Sequence, residues 1–199
     1  MQRFLAMAAG LAALGYGAAG AQSDGAFSNR CEAAPNTDFD FWVGDWVAFD
    51  FDTGVVQGID RIHKTNNGCV IYQDWTQMTD RYRAPGADFR YAGVSFNSTL
   101  QNGDWQQIWV GNTGGTINMV GRLNDDGTMV LTGEEVKTQN GKIAYQTWYW
   151  DPADDGTIHS WGEVRVKDKA DDPWGEPTIP WNLRYVPRAD APNLSAAEE

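Results

Sequence analysis

Residues 67–78 read NGCVIYQDWTQM, a tight-turn dipeptide followed by a segment in which side chains alternate in character. On an extended strand, Ile71, Gln73, Trp75 and Gln77 would share one face, because successive side chains point to opposite sides. Asn-Gly accepts the positive φ angles of a tight hairpin. The stretch therefore predicts a hairpin strand that carries apolar and amide side chains on its inner face.

The same pattern recurs along the rest of the chain. Short segments rich in Trp, Tyr, Val, Ile and Thr, which suit a pleated sheet, are separated by turn signals. These signals are Asp52-Thr53-Gly54, Asn67-Gly68, Asn102-Gly103, Gly114-Gly115, Asp126-Gly127, Asn140-Gly141 and Asp155-Gly156. They delimit ten predicted strands, near residues 44–52, 55–64, 69–78, 89–97, 104–111, 115–123, 128–136, 142–150, 157–167 and 179–187. Regular turns, with no helix-length amphipathic segment after residue 21, predict an all-β sandwich or barrel.

Amide side chains on the predicted inner faces favour a barrel with space inside it. Trp105, Gln107 and Trp109 share one face of their strand, as Gln73 and Trp75 do in the opening stretch. A dry core penalises an unpaired amide by a few kcal/mol, whereas a wet or ligand-filled interior does not. We therefore expect an antiparallel up-and-down barrel of about ten strands.

The first 21 residues have the three-part layout of a secretory signal peptide. A short basic segment, Met1-Gln2-Arg3, precedes an apolar run from Phe4 to about Gly15, and Ala19-Gly20-Ala21 supplies the small residues of a cleavage site. A transmembrane anchor needs roughly 20 strongly apolar residues, and this run is shorter and rich in Gly and Ala. We expect a periplasmic or secreted protein with no stable membrane insertion after cleavage.

The rest of the chain suits one domain. We predict a signal peptide at residues 1–21, a lead-in segment at 22–37, a barrel at 38–188 and a disordered tail at 189–199. The formal net charge of −12 repels phosphate backbones, so nucleic acid is an unfavourable partner. The sequence leaves the oligomeric state open.

Cys31 and Cys69 are the two cysteines of the chain. In an oxidising compartment an isolated pair favours one disulfide, and the alternative is two buried thiols. The bridge would tie the lead-in segment to a strand of the barrel.

The string FDFWVGDW at residues 39–46 contains Gly44-x-Trp46, which resembles the Gly-x-Trp signature of the calycin superfamily. Further motifs are Asn67-Gly68-Cys69 with Trp75, Trp105-x-Gln107-x-Trp109-Val110-x-Asn112-x-Gly114-Gly115, Met129-x-Leu131-x-Gly133 and Asp172-Pro173-Trp174 before Tyr185. Over residues 38–187 they resemble a family of secreted bacterial lipocalin-like barrels of unknown function, which share Phe-Asp-Phe-Trp-x-Gly-x-Trp. That family often has Glu at the position of Gln73. The resemblance implies a fold and no activity.

The resemblance also implies structural roles for three residues. In calycins the signature Trp packs at the closed end of the barrel, beneath a cationic side chain from the last strand. Gly44 and Trp46 match the signature and Arg184 matches the cation, so we expect Arg184 to stack on the ring of Trp46.

A small-molecule site is the first functional hypothesis, because such sites are apolar pockets with a few polar anchors. Ten tryptophans in 199 residues are several-fold more than ordinary usage, although ordinary core packing is the alternative for any one of them. The residues expected to line the pocket are Gln73, Trp75, Tyr91, Gln107, Trp109, Asn118, Trp148 and Trp161. Gln73 and Gln107 would orient the ligand, and no cofactor is implied.

An enzyme is the second hypothesis. Glu163 and His159 lie four residues apart on one strand face and could serve as an acid/base pair of an isomerase, lyase or hydrolase, although an outward polar stripe fits the spacing equally. Asp74, Glu134 and Glu135 are further carboxylates whose separation the sequence does not give.

Carbohydrate binding is the third hypothesis, because exposed aromatic rings stack on sugars. Trp105, Trp174 and Tyr82 are its candidates, and it predicts an exposed, coplanar aromatic strip on the outer surface. The paired acids at turns lack the ligand spacing of a calcium loop, and neither a metal motif nor a haem motif accompanies His63 or His159.

Overall fold

A computed structural model of the chain describes residues 31–80, 86 and 88–192. The predicted signal peptide, the first part of the lead-in segment and residues 193–199 of the predicted tail lie outside the described residues. Tyr82 also lies outside them.

The described residues form eleven β-strands and a short 3₁₀ turn at Asp40–Trp42. The strands are β1 Gly44–Asp50, β2 Val56–Thr65, β3 Val70–Gln77, β4 Ala92–Thr99, β5 Trp105–Gly111, β6 Thr116–Leu123, β7 Met129–Gly133, β8 Val136–Lys137, β9 Ile143–Pro152, β10 Ile158–Lys167 and β11 Thr178–Pro187. Each of the ten predicted strands corresponds to one of these, with small shifts at the ends.

Ten of the strands close into one antiparallel barrel. The strands from β1 to β7 pair in chain order, β7 pairs with β9, and β9, β10, β11 and β1 complete the ring. The two-residue strand β8 also pairs with β9, outside the ring. The prediction of an all-β, ten-stranded antiparallel barrel is confirmed.

The seventh predicted strand, residues 128–136, is interrupted in the structure. Strand β7 ends at Gly133, and Glu134 and Glu135 leave the ladder before β8 begins. If the alternation of β7 continued, Glu135 would point into the barrel, where an unpaired carboxylate is costly. Instead its carboxylate lies at the rim, 3.4 Å from Nζ of Lys167.

The segment before β1 closes one end of the barrel. Phe39 and Trp42 are fully buried, and their spacing of three residues places both on one side of the 3₁₀ turn. Their rings stack with centroids 4.8 Å apart, and Phe39 also meets the edge of Trp150 at 5.1 Å. This apolar plug makes the end with the β2–β3 and β4–β5 loops the closed end.

Polar contacts and a disulfide hold the plug in place. Cys31 and Cys69 form the predicted disulfide, which joins the plug segment to the loop before β3. Nζ of Lys64 lies 2.7 Å from the carboxylate of Asp40. In addition, Trp105 donates its indole N–H to the backbone oxygen of Pro35 at 3.0 Å.

Candidate functional site

A cavity of about 420 Å³ occupies the other half of the barrel, toward the loops that follow β1, β3, β5, β7 and β10. This volume falls in the range of small-molecule sites. Its aromatic lining consists of Trp42, Trp75, Tyr91, Trp109, Trp148, Trp150, Trp181 and Tyr185, and its polar lining of Gln57, Gln73, Gln77, Thr113, Gln146 and Ser160. Among the described residues that line it, none carries a charged side chain.

Strand glycines keep this space open by letting tryptophan rings lie along the wall. A Cβ on Gly93 would lie 2.3 Å from the ring of Trp109, and a Cβ on Gly58 would lie 2.4 Å from that of Trp75. A Cβ on Gly162 would likewise lie 2.5 Å from the ring of Trp181, its cross-strand partner on β11. These approaches are shorter than a side chain permits, so the rings cover the backbone where larger residues would push them into the lumen.

Five buried polar side chains cross the floor of the cavity from strand to strand. Gln73 donates its amide N–H to Oδ2 of Asp60 at 2.7 Å and accepts from the hydroxyl of Ser95 at 2.8 Å. The Ser95 oxygen in turn accepts from the amides of Asn97 at 2.9 Å and Gln107 at 3.3 Å. Because Gln73 is bound at both ends of its amide, its orientation is fixed by the protein.

Tyr185 extends this network to the last strand, since its hydroxyl donates to Oδ2 of Asp60 at 3.2 Å. The side chain of Asp60 is fully buried. Burial raises the pKa of Asp60 to about 7, although the hydrogen bonds from Gln73 and Tyr185 oppose this shift. Burial also raises the pKa of Tyr185 well above its usual value, and the neighbouring carboxylate adds to that effect.

Hydrogen-bond acceptors outnumber donors among the unpartnered buried atoms of this floor. Three acceptors have no partner in the described part of the chain: Oδ1 of Asp60, Oδ1 of Asn97 and Oε1 of Gln107. The indole N–H of Trp42, in the adjoining plug, is a buried donor that also lacks a partner there. An unpartnered buried polar atom costs about 1–3 kcal/mol. The floor therefore carries acceptor capacity that the protein does not use.

Of the residues predicted to line a pocket, five meet around the cavity. They are Gln73, Trp75, Tyr91, Trp109 and Trp148. Tyr91 accepts the indole N–H of Trp109 at 2.9 Å, and Trp148 donates to the side-chain oxygen of Gln146 at 3.0 Å. Gln107 belongs to the floor network, beneath the cavity lining.

Asn118 and Trp161 were expected in the pocket, and the structure places both on the outer face. The side-chain oxygen of Asn118 accepts from Gln106 at 2.9 Å in an exposed contact. Trp161 stacks on Tyr149 with ring centroids 4.6 Å apart. The expectation was wrong because alternation on β6 and β10 turns Ile117 and Ser160 inward, which leaves these neighbours pointing out.

His159 and Glu163 share the outer face of β10 with Trp161, outside the cavity. His159 lies 2.7 Å from the side-chain oxygen of Asn182 and stacks between the rings of Phe51 and Trp161. Glu163 faces Arg165 at 4.0 Å. This is the outward polar stripe that the spacing also allowed, and the pair does not face the barrel interior.

Arg184 does not stack on Trp46. It is exposed on the outer face of β11, and its guanidinium lies 3.4 Å from Asp155. The register explains the difference: Trp46 lies opposite Pro187 on β11, and Tyr185 shares its inner face, so the rings of Trp46 and Tyr185 meet in a T-shaped contact. Gly44 lies close to that ring, because a Cβ there would approach its Nε1 to 3.2 Å.

The candidates for sugar binding do not form a coplanar strip among the described residues. Trp105 is buried at the closed end, and Trp174 packs against the edge of Tyr145 with Lys167 over its ring. The outer rings of Tyr149 and Trp161 are face to face, with 5° between their planes. Each ring covers one face of the other, and the ring of Trp161 also stacks on that of His159 with centroids 4.5 Å apart. These outer rings are therefore stacked on one another and do not lie side by side in one plane.

Sequence reasoning missed four important residues of the site: Asp60, Gln57, Gln146 and Trp181. Gln146 follows from alternation, because it lies on the same face of β9 as Trp148, which was predicted to line the pocket. Trp181 was missed because the expected role of Arg184 assigned the wrong face of β11 to the interior. Gln57 sits at a register shift in the β1–β2 pair, which no simple period predicts. Asp60 lies between Ile59 and Arg61 in the sequence, and it is recognised as part of the site only once the barrel brings Gln73 and Tyr185 against it.

Within residues 31–80, 86 and 88–192, no three His, Cys, Asp or Glu side chains come together as a metal site. No helix of the same ranges is long and apolar enough to span a bilayer.

Comparison with known proteins assigns no family. No protein-family model matches the chain, and a search of curated proteins also gives no match.

Proposed function

We propose that this protein is an exported, calycin-type barrel that binds a small, largely apolar molecule in its interior. The observation that carries the proposal is the unfilled half of the barrel, a cavity of about 420 Å³ lined mostly by aromatic rings. A protein of this size normally fills its interior with side chains. Here three glycines instead keep tryptophan rings against the wall, and this arrangement supports a binding role for the space.

Three rim and wall amides are the polar anchors of the proposed site. Gln57 and Gln77 lie side by side, with 3.5 Å between the Gln77 nitrogen and the Gln57 oxygen, and Gln146 lies across the cavity beside Trp148. Among the described residues, Nε2 of Gln146 and Oε1 of Gln77 make no hydrogen bond. Both atoms remain available to orient a ligand, in place of Gln73 and Gln107, whose amides already bind the floor.

The proposed export rests on the signal-like residues 1–21, and the disulfide is compatible with an oxidising compartment. Expression of the full chain in a bacterial host tests it directly. We expect the chain recovered from the periplasm to begin at Gln22 by intact mass, and a variant without residues 2–21 to stay in the cytoplasm. Retention of the full chain in the cytoplasm would refute export.

A fluorescence titration tests the binding proposal. N-phenyl-1-naphthylamine is a neutral aromatic probe that brightens in apolar surroundings, and we expect it to bind the wild-type protein at one saturable site. Ile117→Trp places a larger side chain in the cavity, since Ile117 lines it. We expect this variant to bind the probe at least about tenfold more weakly, because the added ring removes space and contact area.

Ile108→Trp is the matched control. Ile108 lies on the neighbouring strand β5 and is exposed on the outer face, so the same substitution leaves the cavity unchanged and should leave probe affinity within about twofold. Equal loss of binding in both variants, or no loss in either, would place the probe outside the cavity and refute the proposal.

A further inference from the structure

The cavity has aromatic walls and an acceptor-rich floor, and among the residues that the structure describes no cation balances the buried carboxylate at that floor. Asp60 is fully buried, and its charged neighbour is another carboxylate, Asp74. Within the described residues no Lys, Arg or His forms a salt bridge with it. An ionised Asp60 is therefore an uncompensated charge in a low-dielectric interior.

In both protonation states of Asp60, its Oδ1 atom lacks a hydrogen-bond partner among the described residues. Gln73 and Tyr185 each direct a donor at Oδ2, so Oδ2 is an acceptor in either state. If Asp60 is ionised, Oδ1 carries charge with no donor, and if Asp60 is protonated on Oδ1, that hydroxyl has no acceptor within the described part of the chain. A positive charge in the adjoining cavity would stabilise the ionised form.

The two residues that hold Asp60 also line the cavity, so its carboxylate lies directly behind the cavity wall. Gln73 and Tyr185 belong to the lining, and each contacts the carboxylate directly. Trp75 lies directly opposite Asp60 in the β2–β3 pair and also lines the cavity. Tryptophan and tyrosine faces attract cations through the ring quadrupole. The walls at this end therefore favour a positively charged ligand, as the floor does.

Lysines at the rim do not reverse this preference. Nζ of Lys142 lies 2.8 Å from Asp168, and Nζ of Lys167 lies 3.4 Å from Glu135. These cations are paired with acids of the same rim, and the chain as a whole has a formal net charge of −12. An anionic ligand would meet no unpaired positive charge in the described lining.

We propose that the cavity selects cationic amines that carry an aromatic or apolar tail, with the ammonium group at the end formed by Gln73, Tyr185 and Trp75. The inference rests on the proposed binding function and names the class of ligand. The tail packs against the indole rings of the open half. The ammonium group lies against Gln73 and Tyr185, which separate it from the carboxylate of Asp60. Neutral analogues bind by the tail alone, and anionic analogues are disfavoured.

Three probes with one skeleton test this charge preference by calorimetric titration: 4-phenylbutylamine, 4-phenylbutanol and 4-phenylbutyrate. At pH 8 the amine is protonated, since alkylamines of the lysine type titrate near about 10.4. We expect the amine to bind wild-type protein about tenfold more tightly than the alcohol, and the carboxylate to bind most weakly. In Asp60→Asn, which removes the charge and keeps the shape, the amine and the alcohol should bind within about threefold of each other.

Asp74→Asn is the matched control, because Asp74 lies on the adjoining strand and faces the opposite side of the wall from Gln73 and Trp75. The preference for the amine should persist in that variant. A wild-type pH series provides a second measurement that needs no variant. Amine affinity should rise from pH 6 to pH 8 as Asp60 ionises, with Tyr185 staying protonated throughout, while alcohol affinity should stay level.

The outcomes separate the two proposals. If amine and alcohol bind wild-type protein equally, with no change in Asp60→Asn and no pH dependence, the cavity binds ligands but does not select cations, and the inference is overturned. If the carboxylate binds best, the inference is likewise overturned. If none of the three binds while N-phenyl-1-naphthylamine does, the binding function stands and the amine class is wrong.

Discussion

Replacing Asp60 by Asn should remove a specific pH dependence from the stability of the barrel. Burial raises the pKa of Asp60 from 3.8 to about 7 in the folded protein. Below pH 3.8 the carboxyl is protonated in both folded and unfolded chains. Between pH 3.8 and about 7 the unfolded chain releases a proton that the folded chain keeps, so the free energy of unfolding falls as the pH rises, and it levels off above that range.

The magnitude follows from the size of the shift. A difference of one pKa unit corresponds to about 1.36 kcal/mol, so a shift of about three units costs the folded protein roughly 4 kcal/mol once both states are ionised. Between pH 5 and pH 8 the free energy of unfolding falls by the equivalent of about two of these units, which is roughly 3 kcal/mol. Asp60→Asn has no proton to lose and should lack this decline.

Urea denaturation followed by tryptophan fluorescence measures the effect at pH 5, 6, 7 and 8. At each pH, the free energy of unfolding of Asp60→Asn is subtracted from that of wild type. The other carboxylates contribute to both values and cancel, so the difference reports the titration of Asp60. The amide introduced by this substitution has N–H groups without a strong acceptor, a cost of about 1–3 kcal/mol that is independent of pH. We therefore expect the variant to be less stable at pH 5 and to gain on wild type by roughly 3 kcal/mol at pH 8.

Asp168→Asn is the control, because the pKa of this exposed carboxyl is lowered by Lys142. Because Lys142 favours its ionised form, Asp168 stays ionised from pH 5 to pH 8, and the difference from wild type should stay constant over that range. A constant difference for Asp60→Asn over the same range would refute the assignment of a raised pKa to this buried carboxyl.

Three further predictions concern the ends and the wall of the barrel. Replacing Cys31 and Cys69 by Ser opens a loop with a sequence separation of 38, and chain entropy predicts a loss of about 4 kcal/mol in the free energy of unfolding; an unchanged urea midpoint would contradict it. Trp42→Ala empties the fully buried closed end and should cost about 3–5 kcal/mol, which thermal unfolding measures, and a shift of under one degree would argue against the plug. Gly93→Ala should push the Trp109 ring off the wall, lower stability by about 1–3 kcal/mol and weaken binding of N-phenyl-1-naphthylamine, and unaltered probe affinity would show that the ring does not border the site.

Turn chemistry and alternation predicted most of the fold from the sequence. Asn67-Gly68 and Asn102-Gly103 mark turns between paired strands in the structure, because only a few residue types accept a positive φ angle. The inner face of β3 was predicted residue by residue, since a period of two assigns every side chain to a face. The break at Glu134 and Glu135 was not predicted, because it depends on which face of β7 is apolar.

The site was predicted less completely than the fold, for reasons of register. Trp161 and Asn118 carry side-chain types that suit a pocket, but face is decided by position in the ladder and not by residue type. Arg184 shows the same limit, because a matched position in a motif does not say which way a side chain points. Asp60 could be found only after β2 was paired with β3 and β11 with β1, since its partners Gln73 and Tyr185 come from distant parts of the chain.

A crystal structure of the wild-type protein grown with N-phenyl-1-naphthylamine tests the central claim most directly. The account predicts one probe molecule inside the barrel, in contact with Trp75, Trp109 and Trp148, with Gly58 and Gly93 still covered by indole rings. An interior filled by the protein's own side chains, or a probe bound only on the outer face, would contradict it.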